Sequence, residues 1–177
     1  MTLAQKRIVV IGGGTGILPV LHGLKNEISE LSVIVTMADD GGSTGILREE
    51  FGILPPGDIR RALVALAQSD ESLLAKLMAY RFTEGTGLTG HAFGNLMLTA
   101  LERITGTFEG AIKEAERLLG VRGSVIPVTL TPTRLLAALE NGTIIHGETN
   151  MDIPHHDGRR AIKRVWLEPP AQINPRA

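Results

Sequence analysis

The sequence predicts an α/β protein of Rossmann-like design, a three-layer parallel sheet with an inserted helical segment. Three observations carry this prediction. Residues 8–11 (IVVI) are a short β-branched apolar run, the composition of a buried parallel strand. Gly12–Gly16 (GGGTG) then turns the chain, after which Leu18, Val20, Leu21 and Leu24 recur at helical spacing. Pro19 is tolerable there only in the first turn. Residues 31–36 (LSVIVT) are a second apolar run. Strand, glycine turn, helix and strand within about 30 residues make a right-handed βαβ unit.

Residues 37–60 (MADDGGSTGILREEFGILPPGDIR) read as a long, polar, glycine-rich loop. A loop of that length in a compact domain is functional or disordered, and its Asp, Ser, Thr and Arg between apolar anchors favour function. Asp58 is placed to N-cap a helix over 59–68. Further helices are expected over 71–82, over 91–104 after the glycine-rich TEGTGLTG, and over 108–120, where Gly120 stops the last. Strand patterns return at 124–130, 142–147 and 159–169, with a turn at ENGT, residues 140–143. The C-terminal EPPAQINPRA is Pro-rich and polar, with no obvious closing element. The reading is one domain over 1–177, its helical part spanning about residues 58–120.

Composition bounds the function. At 177 residues and 43% hydrophobic content the chain suits a single domain with a buried core. A net charge of −1 with both signs interspersed offers no basic face, so no nucleic-acid partner is expected. Aromatic residues make up only 3%, which also argues against base stacking. The absence of cysteine leaves no disulfide framework and suits a reducing compartment. No apolar run approaches the ~18 residues of a membrane span, and the start lacks signal-peptide character. A cytoplasmic protein without membrane insertion is the expectation, and assembly into a homo-oligomer is left open.

Three glycine-centred stretches carry the candidate chemistry. Gly12, Gly13, Gly14, Thr15 and Gly16 lie between strand and helix, but match neither G-x-G-x-x-G nor a Walker A loop. Backbone N–H groups at a helix N-terminus favour anions, so a phosphate or diphosphate is the natural guest; glycines required by packing alone are the competing reading. Asp39, Asp40, Gly41, Gly42, Ser43, Thr44 and Gly45 follow the second strand, at the sheet end where α/β proteins bind ligands. Asp39 and Asp40 either accept hydrogen bonds from a sugar or hold Mg²⁺. A solvated turn is the alternative. The third stretch, residues 87–96, holds His91, Gly94 and Asn95. Glycine inside a helix costs about 1 kcal/mol, so Gly94 implies a close approach of ligand or of another helix. Arg48, Arg60 and Arg61 are candidate phosphate donors against a surface alternative. His155 and His156 beside Asp152 and Asp157 resemble a metal cluster only on paper, because adjacent histidines of a strand point apart.

Together these stretches resemble the YvcK/CofD-like family, and within it the YvcK branch. The matching text is IGGGTGILPVLHGLK (11–25), TMADDGGSTGILREEFGILPPGDIRRALVALA (36–67), GLTGHAFGNLMLTALERITG (87–106) and VIPVT (125–129). The resemblance implies a binder of UDP-sugars needed for gluconeogenic growth, cell shape and cell-wall synthesis. The CofD branch implies an alternative: a 2-phospho-L-lactate transferase that moves a phospholactyl group from a guanosine diphosphate-linked donor to a deazaflavin alcohol with Mg²⁺. An NAD-dependent oxidoreductase is a weaker alternative. Carried onto this chain, Gly12–Gly16 would hold the nucleotide diphosphate. Asp39 and Asp40 would meet a metal or sugar hydroxyl, Gly41–Gly45 would close over the ligand, and His91 and Asn95 would join from the helical part. Members of the family continue past this chain's last residue, so the chain is expected to be an N-terminal portion or a natural truncation.

Overall fold

A computed structural model describes residues 5–152 and 161–177. β1 (Arg7–Gly12), α1 (Leu18–Leu24) and β2 (Glu30–Val35) form the expected opening unit, with Pro19 in the first turn of α1. β1 and β2 pair in parallel, Val10 opposite Val33. β3 (Gly123–Pro127) joins the far side of β2, also in parallel, giving the order β1-β2-β3. Val33, Val35 and Val125 are fully buried in the same core as Leu21 of α1. β1 departs from the expected buried strand: Val9 is 55% and Ile11 72% exposed. Among the described residues β1 pairs with β2 alone, so the outward half of its alternating side chains meets solvent.

The crossover from β2 to β3 holds five helices, and it begins earlier than the sequence suggests. The stretch expected to be a loop contains α2 (Gly42–Phe51) and the start of α3 (Pro56–Leu66). Glycine at both ends hid α2: Gly41 is its N-cap, and Gly52 closes it at φ 64°. Pro55, not Asp58, is the N-cap of α3; Asp58 sits within the first turn, free to point elsewhere. α4 (Leu73–Ala79) starts at Ser72, whose hydroxyl accepts from Ala75 N, and α6 (Phe108–Leu119) starts at Thr107 in the same way. α5 (Phe93–Thr105) and α6 stop at Gly106 (φ 79°) and Gly120 (φ 62°). Ile59, Leu63, Met78, Leu98 and Ile112 are the buried faces of these helices and join the core beneath the sheet.

A second sheet follows, antiparallel, in the order β5-β4-β6: β4 (Arg134–Leu139), β5 (Ile144–His146) and β6 (Ile162–Glu168). The β4–β5 hairpin turns at residues 140–143, as the sequence indicates, with Gly142 at φ 86°. β4 itself (RLLAAL) has no β-branched residue and is unmarked in the sequence; pairing on both edges outweighs its helical propensity. The short α7 (Glu148–Asp152) follows β5. The C-terminal stretch does close on the fold: Asn174, 3% exposed, donates from Nδ2 to Pro127 O at 3.1 Å. His155, His156 and Asp157 of the paper metal cluster lie outside the described residues, as does the side chain of Asp152.

Candidate functional site

The glycine turn after β1 and the acidic turn after β2 open at the same carboxyl end of the parallel sheet. Gly12 and Gly13 are explained by packing: a Cβ on Gly12 would meet Ile17 Cγ2 at 2.6 Å, and one on Gly13 would meet Asp58 Oδ2 at 2.6 Å. Gly14 lies at φ 62°, where an L side chain is strained. A Cβ on Gly16 would meet nothing within 4 Å.

Asp58 is the residue that organises this end of the sheet, and capping logic alone had misplaced it. Its carboxylate is 3% exposed at the residue level and accepts from Gly14 N at 2.7 Å and Thr36 Oγ1 at 3.3 Å. Its other oxygen accepts from Arg61 Nε and Nη2 at 3.1 and 2.5 Å. One side chain thus joins the β1 turn, the end of β2 and α3. The signal for it was the Asp three residues before Arg61, a pair that shares one helix face.

Asp39 and Asp40, adjacent in sequence, face different partners. Asp39 accepts from Gly41 N (3.0 Å) and Thr44 Oγ1 (3.0 Å), and its Oδ2 lies 3.5 Å from Arg61 Nη2. Asp40 turns toward α7 and accepts from both N and Oγ1 of Thr149. Gly147 is bare where it meets this carboxylate. The pair therefore does not converge on a common cation, and among the described residues no group of three or more His, Asp or Glu side chains could hold a metal. Asp39 and Asp40 thus do not hold a Mg²⁺ as a pair. Arg48 donates to the carbonyls of Asp39 (3.1 Å) and Thr133 (2.7 Å), which binds the acidic turn to the second sheet. Burial and the neighbouring Arg134 lower its pKa below the usual arginine range.

A buried polar chain runs behind the acidic turn. Ser43 Oγ accepts from Ala92 N at 3.3 Å and Asn95 Nδ2 at 3.2 Å, and lies 3.2 Å from His91 Nδ1. Having accepted twice, the hydroxyl donates to His91, which puts the proton of a neutral ring on Nε2. Asn95 Oδ1 accepts from Arg60 Nε at 3.0 Å, fixing the orientation of the amide. Gly94 has its explanation here: a Cβ would meet Met78 O of α4 at 2.5 Å and Arg60 Cδ of α3 at 2.7 Å, so two neighbouring helices demand the glycine. Ser43, His91 and Asn95, taken from two distant glycine-rich stretches, are thus brought together.

The cleft has two lobes that meet at Asp39 and Arg61. One, of about 220 Å³, is lined by Gly14, Thr15, Asp58, Glu148 and Thr149. The other, of about 190 Å³, runs under the start of α2 to Arg60, Arg81 and Asn95. Of the residues expected at the site, Gly14, Thr15, Asp39, Gly41, Gly42, Ser43, Thr44 and Asn95 line one lobe or both. Asp40, Gly42 and Gly45 line a separate groove on the far side of α2 with Arg48 and Arg134.

Comparison with known proteins places the chain in a family and supports its fold. The family described as 2-phospho-L-lactate transferase CofD matches residues 8–177. The chain belongs to the CofD family. Among curated relatives of this CofD-family chain, a putative gluconeogenesis factor of Nostoc sp. is 54% identical over 93% of the chain and 36% of the relative. The gluconeogenesis factor of Bacillus subtilis is 46% identical over 98% of the chain and 53% of the relative. The crystal structure of protein BH3568 from Bacillus halodurans superposes with a TM-score of 0.88 at 43% identity, covering 97% of this chain and 54% of that one. A second structure of BH3568, described as a member of the UPF0052 family, gives 0.85. The chain thus spans about half the length of these relatives or less, and among its described residues no helix is long and apolar enough to cross a membrane.

Proposed function

We propose that this CofD-family chain forms part of a binding site for a nucleotide diphosphate-linked small molecule, a UDP-sugar. In this reading it serves as a cytoplasmic regulatory protein that links gluconeogenic growth to cell shape and cell-wall synthesis. One observation carries the reading: the two glycine turns following β1 and β2 open into one polar cleft at the carboxyl ends of the strands. The names of the curated relatives support the link to gluconeogenesis. The side chains around the cleft hold one another through Asp58, Asp39 and the Ser43–Asn95–Arg60 chain, which suits a pre-organised binding site.

The test is thermal unfolding against a panel of nucleotides with and without Mg²⁺. A ligand at 100 times its Kd stabilises by about 2.7 kcal/mol, a clear melting shift. A response to UDP-sugars supports the reading; no response to any of them, here and in a full-length relative, refutes it. The family description favours a second reading, a 2-phospho-L-lactate transferase-like enzyme. It calls for product formation from a guanosine diphosphate-linked donor, a deazaflavin alcohol and Mg²⁺.

A further inference from the structure

The two lobes of the cleft differ in charge. Beside the glycine turn, Asp39, Asp58 and Glu148 line the lobe, and Arg61 is its one cation among the described residues. Gly14 N, the backbone donor expected to meet a phosphate, already donates to Asp58 at 2.7 Å. Oxyanions are disfavoured there, while sugar hydroxyls find acceptors. The other lobe is the reverse: Arg60, Arg61 and Arg81 line it, with Asp39 its one carboxylate among the described residues.

We infer that this arginine lobe is an oxyanion subsite, which takes the phosphoryl or carboxylate group of the ligand, and that the glycine-turn lobe takes its hydroxyl-rich part. The inference rests on the reading above only for the remainder of the ligand.

Arg60 is 7% exposed, and its Nε and Nη1 donate to Asn95 Oδ1 and Met78 O. Those bonds use two of five N–H donors, and the group still lines the lobe. Both these acceptors are neutral, and among the described residues Asp39 and Asp58 offset its charge without a direct ion pair. Burial, with the crowding of Arg61 and Arg81, lowers its pKa to about 10, still charged at neutral pH. Arg81 is exposed and donates to Gly90 O, which holds it at the mouth. The helices add to the field. Residues from the first turns of α2, α3 and α5 line the lobe, and none of these three helices has a side-chain cap. Their positive ends reinforce the arginines. An anion seated here would meet planar guanidinium donors and relieve a like-charge cluster.

The test titrates the chain with inorganic phosphate at constant ionic strength, following thermal unfolding and the heat of binding. Arg81→Gln is the informative variant, because the side chain is exposed and its described hydrogen bond is a single one, to Gly90 O. Arg117→Gln, on the outer face of α6 in an exposed pair with Glu114, controls for loss of one positive charge. The expected result is phosphate binding that R81Q weakens about tenfold or more and R117Q leaves intact. In the wild-type chain, phosphate should also shield Arg81 from phenylglyoxal, read by peptide mass spectrometry. Phosphate that does not bind, that binds R81Q as it binds wild type, or that leaves Arg81 unshielded overturns the inference. Phosphate binding through Arg81 with no response to any UDP-sugar, here and in a full-length relative, overturns the nucleotide reading and leaves the subsite standing.

Discussion

Replacing Asp58 with alanine should destabilise the fold more than any other single change at the cleft. The carboxylate receives four hydrogen bonds from three segments, two of them from the Arg61 guanidinium. Its removal leaves the Gly14 N–H unpaired and a half-buried cation without its main partner. Breaking a buried ion pair costs about 3–5 kcal/mol. Arg61 keeps 28% of its side chain in water and Asp39 at 3.5 Å, so screening and a second carboxylate place the cost near ~3 kcal/mol. That is a large share of the roughly 5–15 kcal/mol that holds a domain together. For a chain of this size it corresponds to a melting shift of roughly 6–12 °C. In urea the midpoint should fall while the slope stays unchanged, since the surface exposed on unfolding is the same. Asp58→Asn retains acceptors for Gly14 and Thr36 and should lose only part of this. A D58A protein within about 0.5 kcal/mol of wild type would refute the view that Asp58 braces the cleft.

Three further outcomes follow from the same geometry. Gly94→Ala removes a helix-breaking residue worth about 1 kcal/mol, yet drives a methyl into Met78 O and the Arg60 side chain; the net should be a loss of about 1–2 kcal/mol in thermal unfolding. Ser43→Ala strips the acceptor from Ala92 N and Asn95 Nδ2 and should cost about 2 kcal/mol, measured by urea unfolding, with a change in the His91 ring signals in NMR. Glu102 has one buried oxygen without a partner, and burial raises its pKa. A carboxyl raised on folding contributes stability below its unfolded pKa and loses it as pH rises through the folded value. Glu102→Gln should therefore match wild type in acid and become the more stable protein toward neutral pH, in melting curves across that range.

The parts of this protein that were legible in its sequence are those governed by local rules. The β1-α1-β2 unit, the helix over 91–104, the helix stopped at Gly120 and the hairpin turn at 140–143 follow from apolar period and glycine position. α2 was hidden because its glycines and hydroxyl residues read as a loop, although Leu47 and Thr44 pack inward once α3 and α5 are present. β4 was hidden because Leu and Ala carry no strand signal; its conformation comes from β5 and β6 on either edge.

By itself the sequence determined the fold class, the family and part of the polar lining of the cleft, while Arg81, Glu148 and Thr149 joined it only in the folded chain. Tertiary structure alone decided what each of them does. Asp39 and Asp40 are adjacent and chemically identical, yet one faces Arg61 and the other Thr149, 109 residues away. Asp58 looks like a helix cap and instead binds two turns and an arginine. The physical reason is that a carboxylate's role is set by the donors and charges within a few ångströms of it, and those arrive from distant parts of the chain.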